Sequence, residues 1–218
     1  MRILTIDTSG HILSVALVAD GEVVHEVTEQ MRNNASAILL TKIDQMLDGV
    51  EGLHVVDLIA VVCGPGSYTG IRVSVTVAKT LAYALGKPVV GVSSLSVLIE
   101  SVADEDVRVA MLDARRDSVF ASSSDDLIPE GHYDVADLLA RLVNFEGKIK
   151  FVGEGALKYE ESIVNSGLAD FAIEGDVSGS ASKSMAQIAM TMEPEEDFHK
   201  LSPDYLRKTE AENNLEGR

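Results

Sequence analysis

With 218 residues and 46% hydrophobic content, the chain is long enough for one large or two small globular domains with real cores. Eighteen basic against 35 acidic residues leave a formal charge of −17, which repels polyanions and argues against unaided DNA or RNA binding. A lone cysteine, Cys63, excludes an internal disulfide and suits a reducing cytoplasm, and no apolar stretch reaches membrane-spanning length.

Residues 2–7, 12–19 and 22–28 read as strands, with Asp20-Gly21 as the two-residue hairpin signal between the second and third. Met1-Arg2-Ile3-Leu4 thus opens a strand where a signal peptide would show a longer apolar region. Ala35, Leu39, Ile43, Met46 and Val50 follow a helical stripe, giving a helix over 35–47. A buried strand over 58–63 then runs into Gly64-Pro65-Gly66-Ser67-Tyr68-Thr69-Gly70, and a long helix opens at Ile71-Arg72 and continues to about residue 85. A strand over 88–92, a helix over 95–102 and an acidic break at 103–106 complete a first lobe, residues 1–104.

Beyond the break the opening recurs. Arg108-Val109-Ala110-Met111-Leu112-Asp113-Ala114 lies over Arg2-Ile3-Leu4-Thr5-Ile6-Asp7-Thr8, each strand ending in Asp before a small residue. A return strand at 118–122, a helix at 135–142, a strand at 148–152, and helices at 156–164 and 182–192 give a smaller second lobe, residues 105–218, with a return of the last helix and tail to the first lobe left open. The expected class is α/β: two similar lobes, each a mixed sheet with flanking helices. Residues after 209, rich in Glu and Asn, read as a loose tail.

The glycine loop excludes two common answers. A dinucleotide fingerprint needs glycine or alanine at Thr69, and a Walker loop needs Lys-Ser/Thr where Ile71-Arg72 stand. Two readings stay open for Gly64, Gly66, Ser67 and Thr69. They cradle a phosphate at the helix N-terminus, or they form a turn that aims the helix, with Thr69 as N-cap.

These motifs, together with Ile6-Asp7-Thr8-Ser9, Ser14-Val15-Ala16-Leu17, Ala78-Lys79, Val90-Gly91-Val92-Ser93-Ser94-Leu95, Asp113-Ala114-Arg115-Arg116 and Pro203-Asp204-Tyr205-Leu206-Arg207, resemble the actin, sugar-kinase and Hsp70 superfamily. Within it the chain is similar to the bacterial TsaB (YeaZ) family, over nearly its whole length. The resemblance implies two actin-like, ribonuclease H-like lobes. It also implies a cytoplasmic, non-catalytic subunit of the machinery that makes N6-threonylcarbamoyladenosine in tRNA. The implied partners are a TsaD-type catalytic subunit, a TsaE-type ATPase, and a second copy of the chain through the same helices.

The superfamily's enzymes hold ATP and a metal between lobes, with two hairpins on the phosphates. Asp7 suits a hydrated Mg²⁺, and Thr8, Ser9 and Gly10 offer hydroxyls and a flexible backbone, although an aspartate also suits a plain hairpin end. The second hairpin has Ala114, Arg115 and Arg116 where close approach wants glycine, and Glu154 replaces a glycine of the adenosine-type segment 151–156. Weak nucleotide binding and no required cofactor are therefore expected of the lone chain, with ATP or ADP and Mg²⁺ shared at the partner contact left open. His11, His25, His54, His132 and His199 never approach the His-x-x-x-His metal pair of TsaD, so no metal site is expected, and no catalytic residue is assigned. The alternatives are a small-molecule kinase of the same superfamily and a glycoprotease-like hydrolase.

What remains is a surface. Gly70, Ser74, Ala78 and Ala82 recur every fourth residue as a stripe of small side chains. One reading packs this stripe on the protein's own sheet, with Val73, Val77 and Leu81 beside it. The other, favoured by the family resemblance, sets it with Arg72 and the helix bearing Ala35, Leu39 and Ile43 against two helices of a partner.

Overall fold

The computed structural model describes residues 1–31, 35–48, 52–102, 107–175, 178–195 and 197–206. In chain order the elements are β1 (Arg2–Asp7), β2 (Ile12–Ala19), β3 (Glu22–Gln30), α1 (Ala35–Met46), β4 (Leu58–Gly64), α2 (Tyr68–Leu85), β5 (Val89–Ser93) and α3 (Ser94–Glu100). There follow β6 (Val107–Arg115), β7 (Ser118–Ser123), β8 (Gly131–Asp134), α4 (Val135–Leu142), β9 (Ile149–Val152), α5 (Glu154–Lys158), α6 (Glu160–Val164), β10 (Phe171–Glu174) and α7 (Ser178–Thr191). No helix among the described residues is long and apolar enough to cross a membrane.

The strands make two five-stranded sheets, ordered β3-β2-β1-β4-β5 and β10-β9-β6-β7-β8. In each, three antiparallel strands continue into two parallel ones, and β1 and β6 hold the same central place. The recurrence of the opening segment is thus a recurrence of architecture. The β2–β3 connection turns on Asp20 and Gly21, both with positive φ, as a two-residue turn matched to strand twist requires.

Both faces of the first sheet are covered, which is why β4 is apolar at every position. Ile59, Val61 and Cys63 point to a cluster shared with Leu39, Ile43, Ile71 and Ala78 of α1 and α2. Leu58, Ala60 and Val62 point the opposite way, to Val97 of α3 and Met185, Ala186 and Ala189 of α7. Period-two alternation carries this division, and each fully buried Leu, Ile or Val contributes about 1.5–3 kcal/mol. The second sheet packs α4, α5 and α6 on its outer face. On its inner face Ala110, Leu112, Phe120 and Val152 meet Leu95, Leu98 and Ile99 of α3, so α3 is the wedge between the lobes.

Several boundaries depart from expectation. The residues expected as one helix over 156–164 form two short helices broken at Tyr159, whose φ of −107° and ψ of 23° leave the helical region. β8 and β10, four residues each, escape the alternation signal. The last helix begins earlier than expected, at Ser178, and returns to the first sheet, where Ser182 donates to Glu26 Oε1 at 2.6 Å. Val50, Arg207, the acidic break at 103–106 and the tail lie outside the described residues.

Candidate functional site

The glycine loop sits where β4 ends, and its glycines are demanded by the chain's own backbone. A Cβ on Gly64 would strike the carbonyl oxygen of Asp204, one on Gly66 that of Ser9, and one on Gly70 that of Thr8. Gly64 and Gly66 also have φ of 131° and 152°, which side-chain-bearing residues avoid. The loop is therefore a junction of the first hairpin, α2 and a strap formed by residues 197–206.

The hairpin's polar groups are spent on that junction. Thr8 Oγ1 donates to Gly70 O at 2.7 Å, and Ser67 N donates to Ser9 O at 2.7 Å. Asp7 Oδ1 accepts from Ser9 N at 2.7 Å, and burial pushes the Asp7 carboxyl above its ordinary value. Thr8 and Ser9 are buried. Ser67, not Thr69, is the N-cap of α2, because its hydroxyl accepts from Gly70 N at 3.3 Å, and the helix starts at Tyr68 rather than at Ile71. The structure thus brings Asp7, Thr8, Ser9, Gly64, Gly66, Ser67 and Thr69 together, but the hydroxyls of Thr8 and Ser67 and the glycine spaces are occupied internally. These donors fit a magnesium–phosphate grip poorly: a carboxyl raised by burial is reluctant to ionise, and the spaces beside Gly64, Gly66 and Gly70 are filled by the chain's own carbonyls.

The second hairpin is closed as well. Asp113 Oδ2 accepts from Lys158 Nζ at 2.8 Å, and its Oδ1 accepts from Arg115 N at 3.0 Å and Tyr159 OH at 3.3 Å. Burial works to raise the Asp113 carboxyl, but these donors, Lys158 foremost, hold it below its ordinary value. In the adenosine-type segment, Gly153 and Gly155 are needed because each lies against Met111 O of β6. Glu154 reaches across the cleft, its Oε2 3.4 Å from His11 Nε2 on the first hairpin. Among the described residues no group of three or more His, Cys, Asp or Glu is placed to hold a metal ion.

The reading of the small stripe as a partner contact is corrected by the structure. Gly70, Ser74, Ala78 and Ala82 face the sheet, as do Ala35, Leu39 and Ile43, and all seven are buried. Small side chains let the helix backbone come close to β4, near enough for Ser74 Oγ to donate to Val62 O at 3.3 Å. Of the eight residues expected at an interface only Arg72 is exposed, its guanidinium donating to Tyr68 OH at 2.9 Å and lying over that ring. The solvent-facing side of this helix pair is a different stripe: Leu40, 60% exposed, with Ala37, Thr41 and Asp44 on α1, and Arg72, Thr76, Thr80 and Tyr83 on α2.

The sequence left open whether the chain around Tyr205 and Leu206 returns to the first lobe, and the structure brings it back as a strap. After α7 the chain bridges Glu195 to Val89, buries Leu201 against Gly91, and donates Asp204 N to Cys63 O at 2.8 Å. Lys79 Nζ donates to the carbonyls of Leu201 and His199 at 2.9 and 3.2 Å, Tyr205 stacks on Tyr68 with centroids 5.0 Å apart, and Leu206 enters the cluster around α3. Burial here pushes the Cys63 thiol up to about 12, which leaves it a core residue. The signal was present in Ala78-Lys79 and Pro203-Asp204-Tyr205, but only the fold reveals that they meet.

Two α/β lobes of one topology, each a mixed five-stranded sheet with flanking helices and joined through a central helix, define a two-lobed actin-like fold. The sequence model of the family described as "TsaD: tRNA N6-adenosine threonylcarbamoyltransferase" matches residues 23–176. A Bacillus subtilis protein named tRNA threonylcarbamoyladenosine biosynthesis protein TsaB is 31% identical, over 97% of this chain and 96% of its own. The Escherichia coli K12 protein of the same name is 30% identical over the full length of both. The solved structure of YeaZ from Pseudomonas aeruginosa superimposes with a TM-score of 0.73 at 25% identity, covering 94% of this chain and 99% of that one. The chain belongs to the TsaB (YeaZ) family.

Proposed function

We propose that this chain takes part in making N6-threonylcarbamoyladenosine in tRNA as a non-catalytic subunit that supports a TsaD-type enzyme. The relatives' names supply the pathway. The observation that carries the supporting role is the closed junction at the glycine loop, where Thr8, Ser67 and three glycine spaces serve the chain's own packing. A superfamily kinase would need those groups for phosphate.

The exposed stripe of α1 and α2 is the face proposed for the catalytic subunit, and for a second copy of the chain when that subunit is absent. Its centre, Leu40 and Tyr83 with Arg72 at one end, has the aromatic, apolar and arginine composition that anchors interfaces. The TsaE-type ATPase joins the assembly rather than the lone chain, and no nucleotide is required by the lone chain. With a formal charge of −17, the protein leaves tRNA phosphate contacts to its partners in the cytoplasm.

Co-purification with a TsaD homologue tests this reading, alongside gel retardation of tRNA by the lone chain at moderate salt. The expected result is a stable complex and no retardation. Tight tRNA binding by the lone chain, or failure to associate with the homologue, would overturn the proposal.

A further inference from the structure

The strap does more than close the glycine loop. Phe198 lies against the ring of Tyr83 near the C-terminal end of α2, with centroids 5.5 Å apart, and Tyr205 stacks on Tyr68 at its N-terminal end, with centroids 5.0 Å apart. Between them Lys79 Nζ holds the carbonyls of His199 and Leu201. The strap therefore runs antiparallel to α2 along its flank, pinned at both ends and in the middle. Tyr68, Tyr83 and Tyr205 are 49%, 74% and 44% exposed, so the rings that pin the strap also widen the solvent-facing surface of the helix.

At the Tyr68 end this surface carries a charge. Arg72 Nη1 donates to Tyr68 OH at 2.9 Å, and the guanidinium carbon lies 5.2 Å from the ring centroid, which leaves most of the five N–H donors unused. Lys42, Lys158 and Lys183 each pair with a carboxylate of this chain, at 3.0, 2.8 and 2.7 Å, whereas among the described residues Arg72 pairs with none. Leu40, Thr76, Thr80 and Tyr83 of the exposed stripe are uncharged. Asp44 of α1 lies toward the opposite end of the stripe, because the strand pairing makes α1 and α2 both run antiparallel to β4. A planar fork fixed on a ring, without an anion of its own, matches a carboxylate through two parallel hydrogen bonds. Holding it in place beforehand lowers the ordering cost of docking.

We propose that the strap is the third element of the docking face: Tyr205 seats Tyr68, Tyr68 seats Arg72, and Arg72 takes a carboxylate carried by the docked subunit. This inference rests on the reading of the exposed α1–α2 stripe as the face for the TsaD-type subunit. It adds to that reading the chemistry of one contact and a task for residues 197–206.

The test measures the affinity of the full chain and its variants for the TsaD homologue by titration calorimetry, without tRNA or nucleotide, with circular dichroism confirming the fold of each variant. Arg72→Gln should lose about tenfold in affinity and most of the parent's sensitivity to salt. Arg72→Lys should recover only part of the loss, because an ammonium lacks the fork. Tyr205→Ala should weaken binding by about threefold to tenfold, and Tyr205→Phe, which keeps the stack, should bind as the parent does. Arg141→Gln, which removes a comparable cation from over the Tyr133 ring on the second lobe, should change nothing. A parent chain that fails to bind would overturn the docking reading and this inference together. A parent that binds while Arg72→Gln or Tyr205→Ala binds equally well, or a loss in Arg72→Gln seen only once tRNA is added, would overturn this inference and leave the docking reading standing.

Discussion

Replacing Gly70 by alanine separates two accounts of the glycine loop by the sign of its effect. Gly70 is an α2 residue with ordinary helical backbone, so in open space alanine would stabilise the helix by about 1 kcal/mol. In the structure the added methyl runs into Thr8 O, a backbone atom that moves only if the whole first hairpin moves. Overpacking of this kind costs about 1–3 kcal/mol. Displacing the hairpin also stretches the buried bond from Thr8 Oγ1 to Gly70 O, worth about 1 kcal/mol. Setting the helix gain against these losses leaves a destabilisation of about 1–3 kcal/mol, or roughly 3–10 °C in Tm for a chain of this size. Urea and thermal unfolding measure it, with Gly10→Ala as control, since nothing lies within 4 Å of a Cβ there. A variant as stable as the parent, or more so, would refute the view that the loop's glycines serve internal packing.

Three further outcomes are expected. Ala78→Arg forces a charge into the buried contact of α2 with the sheet and should prevent folding, whereas Leu40→Arg on the exposed stripe should fold normally yet lose association with the TsaD-type subunit; circular dichroism and co-purification distinguish them. Lys79→Ala removes two bonds to the strap, so amide exchange at Asp204 should rise about tenfold, for a local loss of about 1–2 kcal/mol, while global stability changes little. The two hairpin aspartates should respond to pH with opposite signs. Asp7, raised when folded, destabilises once ionised, so Asp7→Asn should gain stability over the parent as pH rises through and above 3.8. Asp113, lowered when folded, stabilises above the ordinary value of 3.8, so Asp113→Asn should be weaker at neutral pH, with the difference vanishing as acid protonates the parent's carboxyl.

Elements written in local periodicity were legible from the sequence: the alternation of β1 and β2, the Asp20-Gly21 turn, the unbroken apolar run of β4, and the helical stripe of α1. β8, Gly-His-Tyr-Asp, alternates half-buried with exposed positions over four residues, too short and too polar to register as a strand. The face of α2 was misjudged because small side chains at every fourth position permit close approach to a sheet as well as to a partner helix. Gly70, Ser74, Ala78 and Ala82 carry no mark of which neighbour they serve. The loop's glycines were recognised as sites of close approach. That the approaching groups are the carbonyls of Thr8, Ser9 and Asp204 depends on chain separations no local pattern encodes.

The central claim is a supporting role without chemistry of its own, and the yield of modified tRNA, titrated against this chain at fixed TsaD-type and TsaE-type subunits, tests it most directly. The account predicts that yield rises until this chain matches the catalytic subunit one to one and then stays flat, with no product when the catalytic subunit is omitted. Modified tRNA formed without the catalytic subunit, or a yield indifferent to this chain, would contradict it.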